Sequence, residues 1–495
     1  MGNTVVLRRE GPWLVFEPTP PKDIARAIYN ELYIPGEDDV ERGFAPYFKG
    51  KIWMGSLKKT IEILQGYGLE VDVEPHAPFS KRFTWSHNIN YWPTQEAAVM
   101  SMVESQSGIM TAATGSGKTI IASGLICEMG QPTLVLTYQS IAVRAFHKSL
   151  KKFTNIPRIG QYGDGVTKMG DVIVTTINSA IQAVRDPDSE FGDWIRNTCR
   201  MVIIDEAHHS VSDGTLECIA QVRHLDHLYA MTATARRADS RHSWLKAIFG
   251  EPIHAISYRD NLEAGTQVPI TVTALYVPDK KYGLSQKIAE AYSKGYGPSR
   301  KIQRESYTKV FNDYVIKGAT GRNEIIVDQA QLLVGKGKTV AISVTSIPQA
   351  ETLHELCVSK GLSTLVLVET GKHKLGKADR NAALERFENR EYDVLISTVI
   401  DEAVDMPSLD AVILAGAGKS SVKAEQRIRC SRGCKQLPNG IKYNKKRGFV
   451  VLLQDNCDFL RKHYEVQRKT IHKLVVQHNS NRFYEQNEDG TWNEL

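Results

Sequence analysis

Long apolar runs are missing from this chain of 495 residues. Nothing approaches the ~18 consecutive apolar residues of a membrane-spanning helix, and the opening residues lack the apolar core of a secretory signal. Membrane insertion and secretion are therefore not expected. Cysteine is scarce as well: seven residues, scattered and odd in number, make a poor disulfide framework and point to a reducing, cytoplasmic setting. Met1-Gly2 opens as a myristoylation signal does, yet Val6 stands where Ser or Thr is required, which removes that anchor. Neither sign of charge dominates, with 62 Lys+Arg against 56 Asp+Glu and a net +6. A pI of ≈ 8.7 permits a nucleic-acid partner without demanding one.

What is present is ordinary globular material, 42% hydrophobic and 24% charged, in a length that calls for about three domains. Residues 1–90 mix strand-like runs (Thr4 to Leu7, Trp13 to Glu17) with helix-like ones (Asp23 to Leu32, Leu57 to Leu64), and read as a small separate α/β accessory module. Pro75, Pro78 and Pro93 punctuate its end. Residues 91–268 repeat a short apolar strand, a polar loop and a helix, the pattern of a parallel sheet covered on both faces. Ligands of such sheets bind at the carboxyl ends of the strands. Residues 269–322 read as a basic connector rich in Lys, Arg and Tyr, either a solvated helical face or a track for a nucleic-acid backbone. A second alternating block fills 323–456, and 457–495 reads as a helix followed by a loose polar tail.

Chemistry concentrates in two stretches of the first block. Ala112 to Thr119 fits a phosphate loop, departing only where Ala112 replaces the first glycine. Thr114, Gly115, Ser116 and Gly117 can turn backbone N–H groups onto phosphate, Lys118 can reach the β- and γ-phosphates, and the Thr119 hydroxyl can ligand magnesium. Asp205-Glu206-Ala207-His208 follows the apolar run Met201 to Ile204. Asp205 can hold magnesium, and Glu206 can orient or deprotonate water; paired acids at a strand end also serve as helix caps. Gly335 to Thr339 and Gly416 to Ser420 imitate phosphate loops but lack the strand or glycine placement, and read as turns. Cys430 and Cys434, with Cys457 and His463, are too poorly spaced to favour a zinc site.

With these residues in place, 90 to 455 resembles helicase superfamily two, the nucleic-acid-dependent ATPases with two RecA-like domains, whose members use the spelling Asp-Glu-Ala-His. The resemblance implies an α/β fold of two RecA-like parallel-sheet domains in tandem, here with the small N-terminal α/β module. It implies ATP and magnesium as cofactors, with Gln95 on adenine and Asp405 near ribose and phosphate. It implies that Thr137, Gln139, Thr175, Thr176, Ser343, Thr345, Ser397 and Thr398 contact nucleic acid. His208, Thr232 and Thr234 would couple hydrolysis to domain movement. Gln426, Arg429 and Arg432 would form the arginine motif, whose positive charge on the leaving γ-phosphate is worth roughly 10³ to 10⁵ in rate. The two arginines share a helical face, and they also suit plain surface ion pairs. The chain departs from the family at Ala403 and Trp92, and it is one residue short beside Ile428, which leaves open which arginine acts.

Phe48 to Gly55 and Thr232 to Asp239 resemble the UvsW and XPB branch, which includes phage branch-migration helicases. The activity implied is an ATP-dependent translocase or helicase, monomeric, that unwinds or remodels forked and branched DNA. Alternatives are an ATP-gated clamp, an RNA helicase, or the motor of a restriction system. The implied compartment is the cytoplasm, or that of a host cell.

Overall fold

The computed structural model describes residues 4–35, 43–74, 81–105, 107–113, 115–163, 165–207, 212–233, 242–278, 290–291, 293–295, 299–317, 321–368, 375–398, 406–416, 430, 432–434, 437, 439–476 and 478–495. The chain divides into two units, Met1–Asp260 and Asn261–Leu495. Each is built around a large, mostly parallel sheet, giving the two tandem RecA-like α/β layers expected.

In the first unit the large sheet runs Pro252–Ile256, Ser107–Ala112, His227–Thr232, Met201–Asp205, Thr133–Thr137, Val172–Thr176, Ile159–Gly163, Val166–Lys168. Every neighbouring pair is parallel except the last, a hairpin at the edge. The central strands are buried residue after residue, as in Met201–Asp205 and Thr133–Thr137. Strands covered on both faces have no polar side to alternate with, which is why they read as continuous apolar runs.

A second sheet in this unit comes from the first 74 residues, in the order Tyr47–Phe48, Lys51–Trp53, Trp13–Glu17, Thr4–Glu10, Glu70–Val73. The helix Lys22–Leu32 packs through Ile24, Ile28 and Leu32, four apart on one face. This part does not stand alone, as the sequence suggested. Its apolar residues join those of the large sheet in one cluster, and Phe44 stacks on Trp244 at 4.7 Å. Arg9 Nη2 donates to Leu225 O (3.1 Å) and Asp226 O (2.6 Å), and burial pushes its guanidinium down to about 10 despite Asp226. At Gly55 an added Cβ would lie 2.5 Å from Gly250 N, so the two backbones approach closer than any side chain allows.

The second unit's sheet runs Thr364–Leu367, Val394–Ser397, Val340–Ser343, Ala411–Leu414, Gly448–Asp455, Ile270–Val277, Arg482–Gln486, Trp492–Glu494, parallel except for the final pair. Two sequence expectations are corrected here. Ile270–Val277 is an interior strand paired on both sides, not connector. Its alternation is legible, with Ile270, Val272 and Ala274 buried and Thr271 and Thr273 half-buried, but the basic run after it masked the pattern. The polar tail is not loose either, because Arg482–Gln486 adds to that strand and Phe483 is fully buried. Asn481 Oδ1 accepts from Ile270 N at 2.9 Å and closes the junction. The helix Asp458–Val475 covers the Gly448–Asp455 strand.

Candidate functional site

The Ser107–Ala112 strand, the loop behind it and the helix Lys118–Met129 place the phosphate-loop residues at the carboxyl edge of the first large sheet. Gly115 (φ 90°) and Gly117 (φ 78°) both occupy the left-handed region, which L side chains enter only with strain. Ser116 turns the loop inward, its N and Oγ both donating to Ala113 O at 3.1 and 2.7 Å. The helix then begins at Lys118. Its first N–H groups have no intrahelical acceptor and its dipole is positive at this end, so the corner is ready for an anion.

Gln95 braces this loop. Its Nε2 donates to Ser116 O at 3.0 Å, its Oε1 accepts from Trp92 N at 3.1 Å, and it is 3% exposed. A Cβ on Gly117 would sit 2.4 Å from that Nε2, so a side chain here would displace the Gln95 amide as well as strain φ. Adenine contact was the sequence expectation for Gln95; the visible role of its amide is to hold the loop.

Lys118 Nζ lies 2.8 Å from Glu206 Oε1, with side chains 13% and 33% exposed. Asp205 ends the Met201–Asp205 strand, is buried, and has an Oδ1 with no hydrogen-bond partner among the described residues. Burial pushes its carboxyl up to about 7, Glu206 adds to the rise, and Lys118 opposes it. Glu206 itself holds φ 49°, a conformation non-glycine residues rarely adopt and one that costs of order 1–3 kcal/mol. Leaving the strand this way brings its carboxylate to Lys118.

The donor set fits magnesium. Asp205 offers an unsatisfied carboxylate oxygen and Thr119 a half-buried hydroxyl, both hard oxygen ligands. Such a cation would also remove the penalty that raises the Asp205 pKa.

The other expected site residues divide three ways. Thr137 and Thr175 are fully buried on adjacent strands, their hydroxyls donating to Gln139 O (3.1 Å) and Tyr162 O (2.6 Å). Those hydroxyls support the strand ends and do not face outward. Thr176 caps the helix Ile177–Arg185, accepting from Ser179 N at 3.3 Å. Thr232 is buried at the end of its strand, in register with Thr111. Ser343 and Ser397 are buried opposite each other in the second sheet, while Thr345 is exposed and Thr398 half-buried beyond them. Gln139 is half-buried at the start of the helix Ser140–Phe153. Arg432 is half-buried and bridged to Gln267. Thr114, His208, Thr234, Asp405, Gln426 and Arg429 lie outside the described residues.

Sequence reasoning passed over Tyr138, which is 52% exposed between Thr137 and Gln139 and offers a ring at the strand end. It also passed over the cations of the helix that follows. Gly337 (φ 70°) turns the chain from the helix Arg322–Gly335 into Val340–Ser343, so the first imitation loop is a turn. Among the described residues no helix is long and apolar enough to cross a membrane.

Two family descriptions match the chain: "Type III restriction enzyme, res subunit" over residues 88–237 and "Helicase conserved C-terminal domain" over 323–433. A DNA 3'-5' translocase, XPB2 of Sulfurisphaera tokodaii, is 25% identical over 79% of this chain and 88% of its own length. A putative helicase of a Sulfolobus islandicus filamentous virus is 24% identical over 72% of this chain and 62% of its own. Among solved structures, Saccharomyces cerevisiae Dbp5 bound to RNA and ADP BeF3 superposes with a TM-score of 0.52 at 13% identity, covering 79% of this chain and 89% of that one. A fragment of a putative HsdR subunit of a type I restriction enzyme from Vibrio vulnificus reaches 0.54 at 15% identity, covering 82% and 71%.

Proposed function

Because this chain belongs to helicase superfamily two, in its UvsW/XPB-like group, we propose that it hydrolyses ATP to translocate along DNA and to unwind or remodel forked and branched junctions. The observation that carries the reading is the Lys118–Glu206 pair at 2.8 Å beside the buried Asp205 carboxyl. ATP phosphates entering the loop give Lys118 a better partner than Glu206 and release that carboxylate. Glu206 then accepts a proton from a water whose oxygen bonds to the γ-phosphorus, while the bond to the β–γ bridging oxygen breaks and ADP leaves. Magnesium, held by Asp205 and Thr119, supplies charge neutralisation on the phosphates when bound. Gln95 keeps the loop in register throughout. The arginine motif, Gln426 with Arg429 and Arg432, carries the positive charge that the leaving γ-phosphate needs. Phosphate contacts at the strand ends, from Gln139, Thr176, Thr345 and Thr398, are proposed to grip the strand.

DNA is favoured over RNA because the translocase relative named above acts on DNA. Strand displacement from a labelled fork, a four-way junction and the RNA equivalents, with ATP and magnesium, tests the reading. Wild type should displace the DNA strands and Glu206→Gln should not. Displacement surviving in Glu206→Gln would remove Glu206 from the step that drives strand separation. ATP-dependent binding by the wild type without any displacement would turn the reading into an ATP-gated clamp, and displacement confined to the RNA substrates would reverse the choice of nucleic acid.

A further inference from the structure

The helix Ser140–Phe153 leaves the carboxyl edge of the first large sheet immediately after Tyr138 and Gln139. Val143, Phe146, Ser149 and Leu150 are buried, and the opposite face carries Arg144, His147, Lys148, Lys151 and Lys152. These five line a shallow depression of about 610 Å³ that contains no acidic and no apolar residue. Arg144, Lys148, Lys151 and Lys152 have no carboxylate partner among the described residues, and Arg144 Nε is shielded from water with no acceptor. Lys168 of the neighbouring edge hairpin adds to the same field. His147 registers it, lowered first by burial and then by Lys151 and Lys168, against the Ile159 backbone bond that raises it.

The basic connector makes a useful contrast. There a depression lined by Arg304, Lys309 and Lys317 also holds Glu305 and Asp313, and Lys317 pairs with Asp313 at 3.0 Å. That surface neutralises itself. The Ser140–Phe153 face does not, and the four like charges of Arg144, Lys148, Lys151 and Lys152 along one helix repel each other unless an anion shares them.

We propose that this face is a second phosphate-binding surface for nucleic acid, lying outside the strand-end grip and receiving the continuing arm of the substrate. The inference rests on the motor reading above for the direction in which that arm leaves. At 1.5 Å per residue, Arg144 lies about 6 Å from Ser140 and Lys152 about 12 Å further on. A duplex carries one charge per ≈ 1.7 Å of axis with both strands counted, so about seven phosphates lie along that length, of which the nearer ones can meet the cations. A protein partner fits less well, because interfaces centre on buried aromatic and apolar anchors and are depleted in lysine, and the depression offers no such anchor.

The test compares wild type with the triple variant Lys148→Ala, Lys151→Ala, Lys152→Ala and with the triple Lys→Arg variant at the same positions. All three lysines are exposed, so the fold should be retained, with unchanged melting and unchanged ATP turnover in the absence of nucleic acid. Binding to a labelled fork with duplex arms is measured by anisotropy from 50 to 200 mM salt. The alanine variant should bind at least about tenfold more weakly, and its log–log salt slope should fall by about 2.7, or 0.9 for each lost cation, while the arginine variant keeps the wild-type slope. An unchanged slope and affinity in the alanine variant would overturn the proposal, as would loss of binding to polyglutamate with fork binding unaltered. The two readings fail separately. A changed slope with no nucleic-acid stimulation of wild-type ATP turnover defeats the motor and leaves this surface standing; stimulation with an unchanged slope does the reverse.

Discussion

Arg322–Asp455 in the second unit and Lys118–Glu206 in the first each set a cation against a carboxylate, but only the former is buried on both sides. In the second unit Arg322 meets Asp455 through two bonds, Nε to Oδ1 at 2.7 Å and Nη2 to Oδ2 at 3.2 Å, with side chains 1% and 7% exposed. The same guanidinium donates to Ala415 O at 3.0 Å, tying together the ends of three elements. In the first unit Lys118 Nζ meets Glu206 Oε1 at 2.8 Å with side chains 13% and 33% exposed, next to a carboxyl held at about 7 and on a residue in a strained conformation. A bidentate pair that is desolvated and further hydrogen-bonded is locked, since no ligand offers its members a better arrangement. A solvent-accessible pair beside a buried carboxylate oxygen with no hydrogen-bond partner among the described residues is open to exchange. The contrast separates charge that holds a fold from charge that waits for a substrate.

The largest effect that would break this distinction is kinetic. Glu206→Gln should lower ATP turnover by roughly 10² to 10⁴, and Lys118→Ala at least as much, while each changes the denaturant midpoint little. A variant that unfolds instead of failing in turnover would make the Lys118 pair structural.

Asp455→Ala is the converse. Leaving Arg322 buried and unpaired should cost about 3–5 kcal/mol, read as an earlier unfolding transition in urea, and replacing both partners by apolar residues should recover much of it. A smaller loss is expected from Gln95→Ala, about 1–3 kcal/mol for two interrupted bonds in a buried setting, with weakened ATP binding as its signature in a titration.

The remaining effect is a pH dependence confined to the first unit. Asp205 holds its proton more tightly folded than unfolded, because its carboxyl is raised to about 7 from an ordinary value of about 3.9. Its contribution to stability in chelator is therefore fully present below about pH 4 and is lost as pH rises through 7. Asp205→Asn should remove that slope, so the melting difference between variant and wild type grows in the variant's favour from pH 4 to 8. A constant difference would place the Asp205 carboxyl in an unperturbed environment.

Much of this was legible before any coordinates. Five of the eight strands of the first large sheet fall within about two residues of apolar runs, because strands buried on both faces write their boundaries into composition, while the less buried Pro252–Ile256, Ile159–Gly163 and Val166–Lys168 left no such run. The phosphate-loop pattern and Asp205-Glu206 stood out because phosphate chemistry fixes both residue type and spacing, and the structure sets both at the carboxyl edge of one sheet. What escaped was orientation. Nothing in Thr137 or Thr175 tells whether the hydroxyl faces solvent or a carbonyl on the next strand, and both turn inward. Gln95 was assigned to adenine from its position, while its bond to Ser116 depends on a loop 21 residues away. The described residues up to 74 looked separate because their docking relies on Arg9, Phe44 and Gly55 meeting residues beyond 220. The cations at 144 to 152 were visible at helical spacing, yet only the absence of facing carboxylates distinguishes them from a solvated face.

The central claim is that the exchangeable pair at Lys118 and Glu206 belongs to a nucleic-acid-driven ATPase. Steady-state phosphate release by the wild type, measured with and without single-stranded, forked and four-way DNA and with RNA at stated salt, tests it most directly. Turnover should rise on adding DNA and vanish in Lys118→Ala under every condition; equal turnover with and without any nucleic acid would contradict it.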